Sequence, residues 1–311
     1  MARKILITGG AGFIGSNLVA RLDALGGYEV VVLDNEVSGT RAAIADCSCD
    51  FVAGDIRDRD VLERVMEGVD AVVHLAADTR VIPSIEAPEF NFDVNVGGSF
   101  NVLETMRRLG VNKIVSASTG GAIIGDTDPP VHEAMVASPI SPYGASKLAV
   151  EGYCSAYAAS YGMSCISLRF SNAYGPRSFH KGSVVALFIK QILQGKTLTV
   201  YGDGSQTRDY VHAHDLADGI VGALNSSANG PIQLGTGTGT SLNDIIGMLR
   251  EVSGQEIAVE YRPFRSGEIV HNWCDISHAR KSLGYDPQIP LGEGLAETWE
   301  WFVANSSRLR L

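Results

Sequence analysis

The feature that most constrains the fold is a glycine-rich turn close to the start of the sequence. Residues 5–7 form a short apolar run typical of a strand, and residues 13–22 are typical of a helix. Between these elements, Gly9, Gly12 and Gly15 follow one another at G-x-x-G-x-x-G spacing. Glycines at such positions permit a tight turn, close approach of the backbone to a pyrophosphate and close packing of the helix on the strand. The N–H groups at the helix start attract anionic phosphates. The arrangement therefore predicts a dinucleotide-binding element.

A second apolar run, residues 28–33, ends at Asp34, about twenty residues after the glycine turn. A carboxylate in this place is typical of one that accepts hydrogen bonds from an adenosine ribose, and it favours NAD over NADP. The polar loop 35–41 is expected to cover the cofactor. Asp55 follows the third strand, and the pattern leaves two roles open for it, contact with the adenine edge or capping of the next helix, 58–66.

Strands and helices alternate regularly as far as residue 170. This alternation predicts an α/β fold, a Rossmann-type doubly wound parallel sheet with helices on both faces and a smaller C-terminal α/β substrate domain. We expect the NAD-binding domain to comprise residues 1–171 and a returning segment at about 213–238. The substrate domain is then 172–212 and 239–311. Segments 78–88 and 125–142 are predicted as loops, and Trp299, Trp301 and Phe302 on the closing helix as core.

Composition excludes several classes of function. The net charge is -10 and no long basic run is present, so binding of nucleic acid or of a membrane surface is not expected. No apolar run approaches the ~20 residues that span a bilayer, and the first strand leaves no room for a signal peptide. The five cysteines are scattered and lack metal-site spacing. We therefore expect a cytoplasmic protein with reduced thiols and no metal.

Tyr143 and Lys147 supply the chemistry that the glycine turn lacks. Residues four apart at a helix start lie on one face, so the phenol and the ammonium group point the same way. We expect the cation to lower the pKa of the tyrosine from about 10 toward neutrality, so that it can act as a general base or acid for a hydroxyl. Ser118 and Thr119 end the fifth strand, where a hydroxyl can bind the reacting oxygen.

These motifs carry a family resemblance. TGGAGFIGS (8–16), HLAA (74–77), YGASK (143–147), RFSNAYGP (169–176) and GDGSQTRDYVHAHDLA (202–217) resemble motifs of the extended short-chain dehydrogenases/reductases, in the NAD-dependent sugar-nucleotide epimerase/dehydratase family. The resemblance covers nearly the whole chain. It implies NAD as cofactor, a nucleotide sugar as substrate and a homodimer formed through a four-helix bundle of helices 92–109 and 146–161.

The resemblance also implies residue roles. The residues implied in catalysis are Tyr143, Lys147, Thr119 and Ser118. Those implied in cofactor binding are Gly9, Gly12, Phe13, Ile14, Gly15, Asp34, Asn35, Ser38, Gly39, Asp55, Ile56, Leu75, Ala76, Ala77, Asn95, Tyr143 and Lys147. Those implied in substrate binding are Thr79, Ser84, Asn172, Val200, Tyr201, Arg208, Arg265, Glu268 and Asn272.

The reaction within the family is predicted from the end of the fifth strand. Dehydratases and decarboxylases of the family place an acidic residue just after the Ser/Thr, whereas Gly120 and Gly121 follow Thr119 here. This difference favours epimerisation at C4 of a UDP-hexose through a transient 4-keto sugar. UDP-glucose and UDP-galactose are the first expected substrates. Asn272, at the position resembling the family's pocket gatekeeper, and Ile124, in place of a usual tyrosine, leave UDP-N-acetylhexosamine and UDP-glucuronate as alternatives. A 4-ketoreductase, a dehydratase or a non-catalytic NAD-binding protein of the same fold also stays open.

Overall fold

A seven-stranded sheet lies at the centre of the chain. The structure, a computed structural model, describes residues 2–264 and 269–309. Arg265 and Glu268, two of the predicted substrate contacts, lie outside the described residues. The strands are, in chain order, β1 (Arg3–Thr8), β2 (Tyr28–Asp34), β3 (Asp50–Ala53), β4 (Ala71–His74), β5 (Lys113–Thr119), β6 (Ser164–Phe170), β7 (Asn172–Tyr174), β8 (Leu198–Tyr201), β9 (Thr207–Arg208), β10 (Tyr210–His212), β11 (Gly230–Leu234), β12 (Thr240–Ser241), β13 (Val259–Arg262) and β14 (His271–Asn272).

Helices cover this sheet and build the C-terminal part. They are α1 (Phe13–Leu25), α2 (Arg59–Val65), α3 (Val81–Glu86), α4 (Pro88–Phe92), α5 (Ser99–Leu109), α6 (Gly120–Ile124), α7 (Pro142–Tyr161), α8 (Val184–Leu193), α9 (Ala213–Asn225), α10 (Leu242–Ser253), α11 (Ser277–Leu283) and α12 (Leu291–Leu309). A 3-10 helix spans Arg41–Ile44, and a π-helix, Asp93–Gly98, joins α4 to α5. Within the described residues, no helix has the length and apolar character needed to cross a bilayer.

The large sheet has the order β3-β2-β1-β4-β5-β6-β11, and all its strands are parallel. Ile5 and Ile7 face one apolar layer and Leu6 faces the other, as the two-residue period of a strand requires. Helices α1 and α9 pack together on the first side, and α2, α5 and α7 on the second. The predicted doubly wound fold is therefore confirmed. The strand order reverses between β1 and β4, which is where ligands bind in such sheets.

A third apolar core belongs to the C-terminal part. Helices α8, α10 and α12 form it around Phe188, Ile245 and Phe302. Trp299 and Phe302 are buried there and Trp301 is partly buried against it, which confirms their predicted core role. Residues on and around α11, among them Ala279 and Tyr285, instead pack into the core under the large sheet.

Two predicted loops contain helices. Segment 78–88 includes α3, and α7 begins at Pro142, four residues before its predicted start at Ser146. Proline at the first position of a helix loses no hydrogen bond, because the first N–H groups have no partner inside the helix. Ser141 caps α7 by accepting a hydrogen bond from the N–H of Gly144 at 3.2 Å. Reading proline as a loop signal therefore placed this helix boundary too late.

Candidate active site

The glycine turn closes tightly on itself and on the end of β4. Gly9 has φ +72°, and a Cβ there would lie 2.7 Å from the backbone nitrogen of Ala76. A Cβ on Gly15 would lie 2.3 Å from the carbonyl oxygen of Gly9. No described residue accepts a hydrogen bond from the N–H groups of Phe13 or Ile14 at the start of α1, whose cap position, Gly12, has no side chain. The turn therefore offers unpaired donors to an anion, and it fits a pyrophosphate.

Asp34 links this turn to the loop that follows β2 through hydrogen bonds to both segments. One carboxylate oxygen accepts the N–H of Ala11 at 3.0 Å and the other accepts the N–H of Glu36 at 2.8 Å. Burial raises the pKa of Asp34, and the two N–H groups oppose that rise. A carboxylate has about four acceptor positions, so two of them stay available to ribose hydroxyls. Gly39 lies against the turn, since a Cβ there would be 2.2 Å from the carbonyl oxygen of Ala11.

Asp55 and Ile56 lie at the end of β3, beside this loop. Asp55 accepts hydrogen bonds from Arg57 and, at 2.9 Å, from the side chain of Asn35. The hydrogen bond from the Arg57 guanidinium is the main cause that lowers the pKa of Asp55 to about 2. Asp58, not Asp55, caps α2. The capping alternative for Asp55 is therefore excluded, and a contact with the adenine edge stays a prediction.

Thr119, Tyr143 and Lys147 meet at the carboxyl end of β5. Tyr143 is the second residue of α7, and the side chain of Thr119 lies close enough to its phenol to oppose the rise of its pKa. Lys147 is one helical turn further on and donates to the carbonyl oxygen of Ala117 at 2.9 Å. The sequence placed these three groups correctly on facing elements. They form a hydroxyl, a phenol and an ammonium group at the sheet edge that also carries the glycine turn.

Ser118 does not belong to this group. Neighbouring residues of a strand point to opposite sides, so only one of Ser118 and Thr119 can face Tyr143. The hydroxyl of Ser118 donates instead to Glu151 at 2.6 Å, inside the protein. The expectation that Ser118 shares the catalytic task is therefore corrected. Glu151 itself escaped the sequence analysis, although its spacing of four residues from Lys147 places it on the same helix face.

The pKa of Tyr143 also differs from expectation. Burial raises the pKa of Tyr143 to about 12, and the negative charge of Asp78 adds to the rise, while the hydrogen bond from Thr119 opposes it. Burial lowers the pKa of Lys147 to about 8, with a further contribution from the positive charge of Lys181. The predicted lowering of the tyrosine pKa by the lysine is not found in the polypeptide alone, because burial and Asp78 raise this pKa and Lys147 is not among the groups that shift it.

Ser84 and Asn95 support the site from within the protein. The hydroxyl of Ser84 is wholly buried and accepts the backbone N–H of Tyr143 at 3.1 Å. The buried amide of Asn95 accepts the N–H of Asp78 at 2.8 Å and donates to Ser146 at 3.0 Å. Ser84 was predicted to contact the substrate and Asn95 the cofactor. In the structure, these two side chains hold α7 and the segment after β4 in position. Leu75, Ala76 and Ala77, which follow β4, are half-buried at the sheet edge, and Thr79 is exposed.

The predicted substrate contacts lie across the cleft, on the C-terminal part. Asn172 is exposed at the start of β7, and Tyr201 is half-buried at the end of β8. Val200 is completely buried in the C-terminal core, so its side chain is not available to a ligand. The guanidinium of Arg208 donates to the carbonyl oxygens of Ile269 and Val270, at 2.6 and 3.1 Å.

Asn272 reaches across to the turn that follows Thr119. Its side-chain nitrogen would lie 3.1 Å from a Cβ on Gly121, and this nitrogen is buried with no hydrogen-bond partner among the described residues. The segment after Asn272 is held to the 125–141 segment, because Val131 exchanges backbone hydrogen bonds with Trp273 and Asp275. A buried polar group without a partner among the described residues therefore lies beside Gly121, two residues after Thr119.

Residues 5–235 match the model of the NAD dependent epimerase/dehydratase family. The chain belongs to this family. It is 40% identical to the putative UDP-glucose 4-epimerase of Methanocaldococcus jannaschii over 97% of this chain and 99% of the relative. It is also similar to the solved structure of UDP-glucose 4-epimerase from Thermotoga maritima with UDP-glucose, with a TM-score of 0.92, 36% identity and coverage of 97% of this chain and 99% of that one. A further similar structure is the UDP-N-acetylglucosamine 4-epimerase of Methanobrevibacter ruminantium in complex with UDP-N-acetylmuramic acid, with a TM-score of 0.92, 30% identity and coverage of 98% and 99%.

Family membership agrees with the geometry of the cofactor side. NAD is the cofactor of the family, and the residues present fit it: a side-chain-free cradle at Gly9 and Gly15, unpaired N–H groups at the helix start and a strand-end carboxylate at Asp34. The roles of the other predicted cofactor contacts, including Asn35 and Ser38, stay predictions.

Proposed function

We propose that this chain is an isomerase, an NAD-dependent UDP-hexose 4-epimerase, with UDP-glucose and UDP-galactose as the preferred pair. The observation that carries the proposal is the group of Thr119, Tyr143 and Lys147 beside the NAD cradle. In the sequence, Thr119 is followed directly by Gly120 and Gly121 and not by an acidic residue. A hydroxyl-binding base without an adjacent carboxylate suits reversible proton removal at C4 and lacks the extra acid that elimination needs. Relatives that carry the name of this activity over nearly the whole chain support it.

In the proposed reaction, Tyr143 takes the proton of the C4 hydroxyl and later returns it to the same oxygen. The side chain of Thr119 lies close to the phenol, and Ser84 holds the backbone of Tyr143. When bound, NAD supplies the hydride acceptor and donor and, in its oxidised form, a positive charge. Asn172 is proposed to hold the diphosphate of the nucleotide sugar, and Arg208, Arg265 and Glu268 are proposed to clamp the diphosphate and the nucleotide ribose, because a planar guanidinium fork suits phosphate oxygens. Tyr201 is proposed as a further substrate contact.

The sugar is the finer part of the proposal. Asn272 is smaller than a large aromatic gatekeeper, and its buried, unpartnered side-chain nitrogen offers a hydrogen bond to a substituent of the sugar. This observation favours UDP-N-acetylhexosamine as the second candidate. The test is incubation of the NAD-loaded protein with UDP-glucose, UDP-galactose, UDP-N-acetylglucosamine and UDP-glucuronate, with products separated by chromatography. Interconversion of the first two supports the proposal. Net consumption of NADH or a 4-keto-6-deoxy product identifies a reductase or dehydratase, and no conversion of any UDP-sugar rejects the enzyme.

The charge state of Tyr143 gives the first prediction. In protein stripped of NAD, we expect Tyr143 to remain protonated at about pH 9, because burial and Asp78 raise its pKa to about 12. Loading with oxidised NAD is expected to lower this pKa toward neutrality, because a nearby cation favours the phenolate. The measurement is phenolate absorbance in the near ultraviolet as a function of pH, with Tyr143→Phe as the reference. Equal titration with and without NAD would contradict the prediction.

The subunit arrangement is a second proposal, a homodimer formed through the helices that run from α4 to α5 and through α7. Apolar side chains stand exposed along them, including Phe92 at 63%, Tyr161 at 54% and Tyr153, whose ring contacts Phe100 from α5. A contiguous exposed apolar patch of this kind marks an interaction surface.

Light scattering is expected to give twice the chain mass of 33.1 kDa. The variant Phe92→Asp/Tyr153→Asp is expected to give the single-chain mass, because two charges cannot be buried unpaired in an interface. Leu25→Asp, an equally exposed position at the end of α1, is the control and should remain dimeric. A monomeric wild-type protein would reject this arrangement.

The chain division predicted from the sequence is retained as a proposal, with one refinement. Strand β11 from the returning segment completes the large sheet, and the third core is built mainly from the two segments assigned to the substrate domain. Helix α11 is assigned to the surface of the NAD-binding domain, since Ala279 packs there. A cytoplasmic location is proposed as well, and the five free thiols support it.

A further inference from the structure

A buried acidic side chain lies directly below the catalytic face of α7. Glu151 is four residues after Lys147 and eight after Tyr143, so all three side chains project from one face of the helix. Its side chain is 8% exposed. Buried carboxylates are costly unless they are paired, so the partners of Glu151 define what it does.

Glu151 joins three elements. One of its oxygens accepts the hydroxyl of Ser118 at 2.6 Å and the Nε of Arg169 at 2.9 Å, and the other accepts the Nη2 of Arg169 at 2.7 Å. Ser118 on β5 and Arg169 on β6 are paired in the register of the sheet. The side chain of Arg169 is 5% exposed, and the pair is therefore shielded from solvent. The carboxylate is a rigid link between α7 and the ends of two neighbouring strands.

The end of β5 is consequently attached to α7 at two successive residues. Lys147 donates to the carbonyl oxygen of Ala117, and Glu151 accepts the hydroxyl of Ser118. Thr119, the next residue, lies close enough to the phenol of Tyr143 to oppose the rise of its pKa, and this is the contact that the proposed reaction needs. A shift of the strand end at Ser118 would be transmitted to Thr119, the next residue along the chain.

We propose that Glu151 is a positioning residue for the reaction, which holds the strand end that carries Thr119 against Tyr143 and places a negative charge one helical turn from Lys147. This inference rests on the proposed epimerase function.

The electrostatic part follows from the groups that face Lys147. Burial is the main cause that lowers the pKa of Lys147, and Lys181, in the segment after β7, lowers it further, whereas Glu151 and Cys154 on α7 raise it. His74 on β4 also feels the charge of Lys147, and its own burial lowers the pKa of His74 to about 3, so it is neutral. Glu151 is thus the anion that keeps Lys147 a cation near neutral pH. Its removal should lower the pKa of Lys147 below about 8.

The choice of variant matters, because Glu151→Gln alone leaves the cation of Arg169 buried without a partner and is expected to fold poorly. The informative protein is the double variant Glu151→Gln/Arg169→Met, in which neither charge remains. Ser118→Ala is the matched comparison, because it removes the hydrogen bond to β5 and keeps the ion pair. Glu151→Asp is the conservative variant that retains the charge.

Two readouts separate positioning from simple stabilisation. The first is the pKa of Lys147 in NAD-free protein, measured by NMR after lysine-selective carbon-13 labelling and assigned with Lys147→Arg. In the double variant it should fall, because Glu151 is one of the groups that raise it and Arg169 is not among the groups that shift it; in Ser118→Ala it should stay unchanged, and in Glu151→Asp it should stay close to the wild-type value. The second is the pH profile of kcat with the UDP-sugar that the wild-type protein converts. In the double variant, the alkaline limb of this profile should shift to lower pH by as much as the pKa of Lys147 falls. The maximal kcat should be lower by about tenfold, and KM should stay within about twofold of the wild-type value.

A double variant that folds and keeps the wild-type pKa of Lys147 and the wild-type pH profile would overturn the proposal and leave the pair a purely structural one. A double variant with a lower melting temperature and with both readouts unchanged would also overturn the proposal. If the wild-type protein converts no UDP-sugar, the proposed function fails. The NMR titration then still decides whether Glu151 controls the charge of Lys147.

Discussion

Replacing Tyr143 with phenylalanine is expected to lower kcat for UDP-hexose epimerisation by about 10²–10⁴-fold, the contribution typical of a positioned general acid–base. The substitution removes only the hydroxyl oxygen. It therefore deletes the group that exchanges a proton with the sugar and that lies beside the Thr119 side chain, while the backbone contact with Ser84 stays. KM for the nucleotide sugar should change little, because the proposed diphosphate contacts lie on the other side of the cleft.

The matched control for this variant is Tyr153→Phe. Tyr153 is on the same helix, is 42% exposed and lies away from the strand end. It should retain wild-type kcat, NAD content and melting temperature. The decisive comparison is kcat in the two variants at equal NAD occupancy. A Tyr143→Phe protein that keeps full activity would remove the phenol from the mechanism, whereas a loss of NAD or of folding would mean that the substitution acted on structure.

Replacing Gly15 with alanine is expected to have the largest effect on the fold. The new methyl group would lie 2.3 Å from the carbonyl oxygen of Gly9 and 2.6 Å from the Cα of Gly10, and both are backbone atoms that cannot rotate away. Helix α1 must then move off the turn. We expect the free energy of unfolding to fall by about 3 kcal/mol and NAD binding to be lost, since the N–H groups at the helix start move with the helix.

Replacing Gly247 with alanine provides an internal control, because it is expected to change the free energy of unfolding in the opposite direction. Gly247 lies within α10, and a Cβ there meets nothing within 4 Å. Alanine at this position should stabilise the protein by about 0.5–1 kcal/mol, because it reduces the entropy of the unfolded chain and favours the helix. Chemical denaturation and NAD fluorescence titration on both variants measure the two effects. Wild-type NAD affinity in Gly15→Ala would contradict the assignment of the turn.

Local spacing explains why much of the fold was predictable. The order strand, glycine turn, helix around Gly12 depends on residues within one short segment, and so does the shared helix face of Tyr143 and Lys147. The alternation of apolar strands and amphipathic helices then limits the chain to one doubly wound sheet. The boundary of α7 was placed late because Pro142 is a loop signal in isolation and a good first residue once Ser141 caps the helix.

The sequence by itself therefore determined the class of fold, the NAD cradle and the shared helix face of Tyr143 and Lys147, since each depends on near neighbours in the chain. Only the tertiary structure decided that Thr119 and not Ser118 meets Tyr143, that Ser84 is an internal support, and that burial raises the pKa of Tyr143. Those outcomes depend on which segments enclose a group and remove it from water. Glu151 shows the same limit: its spacing from Lys147 is visible in the sequence, but its pairing with Arg169 appears only when β5 and β6 lie side by side.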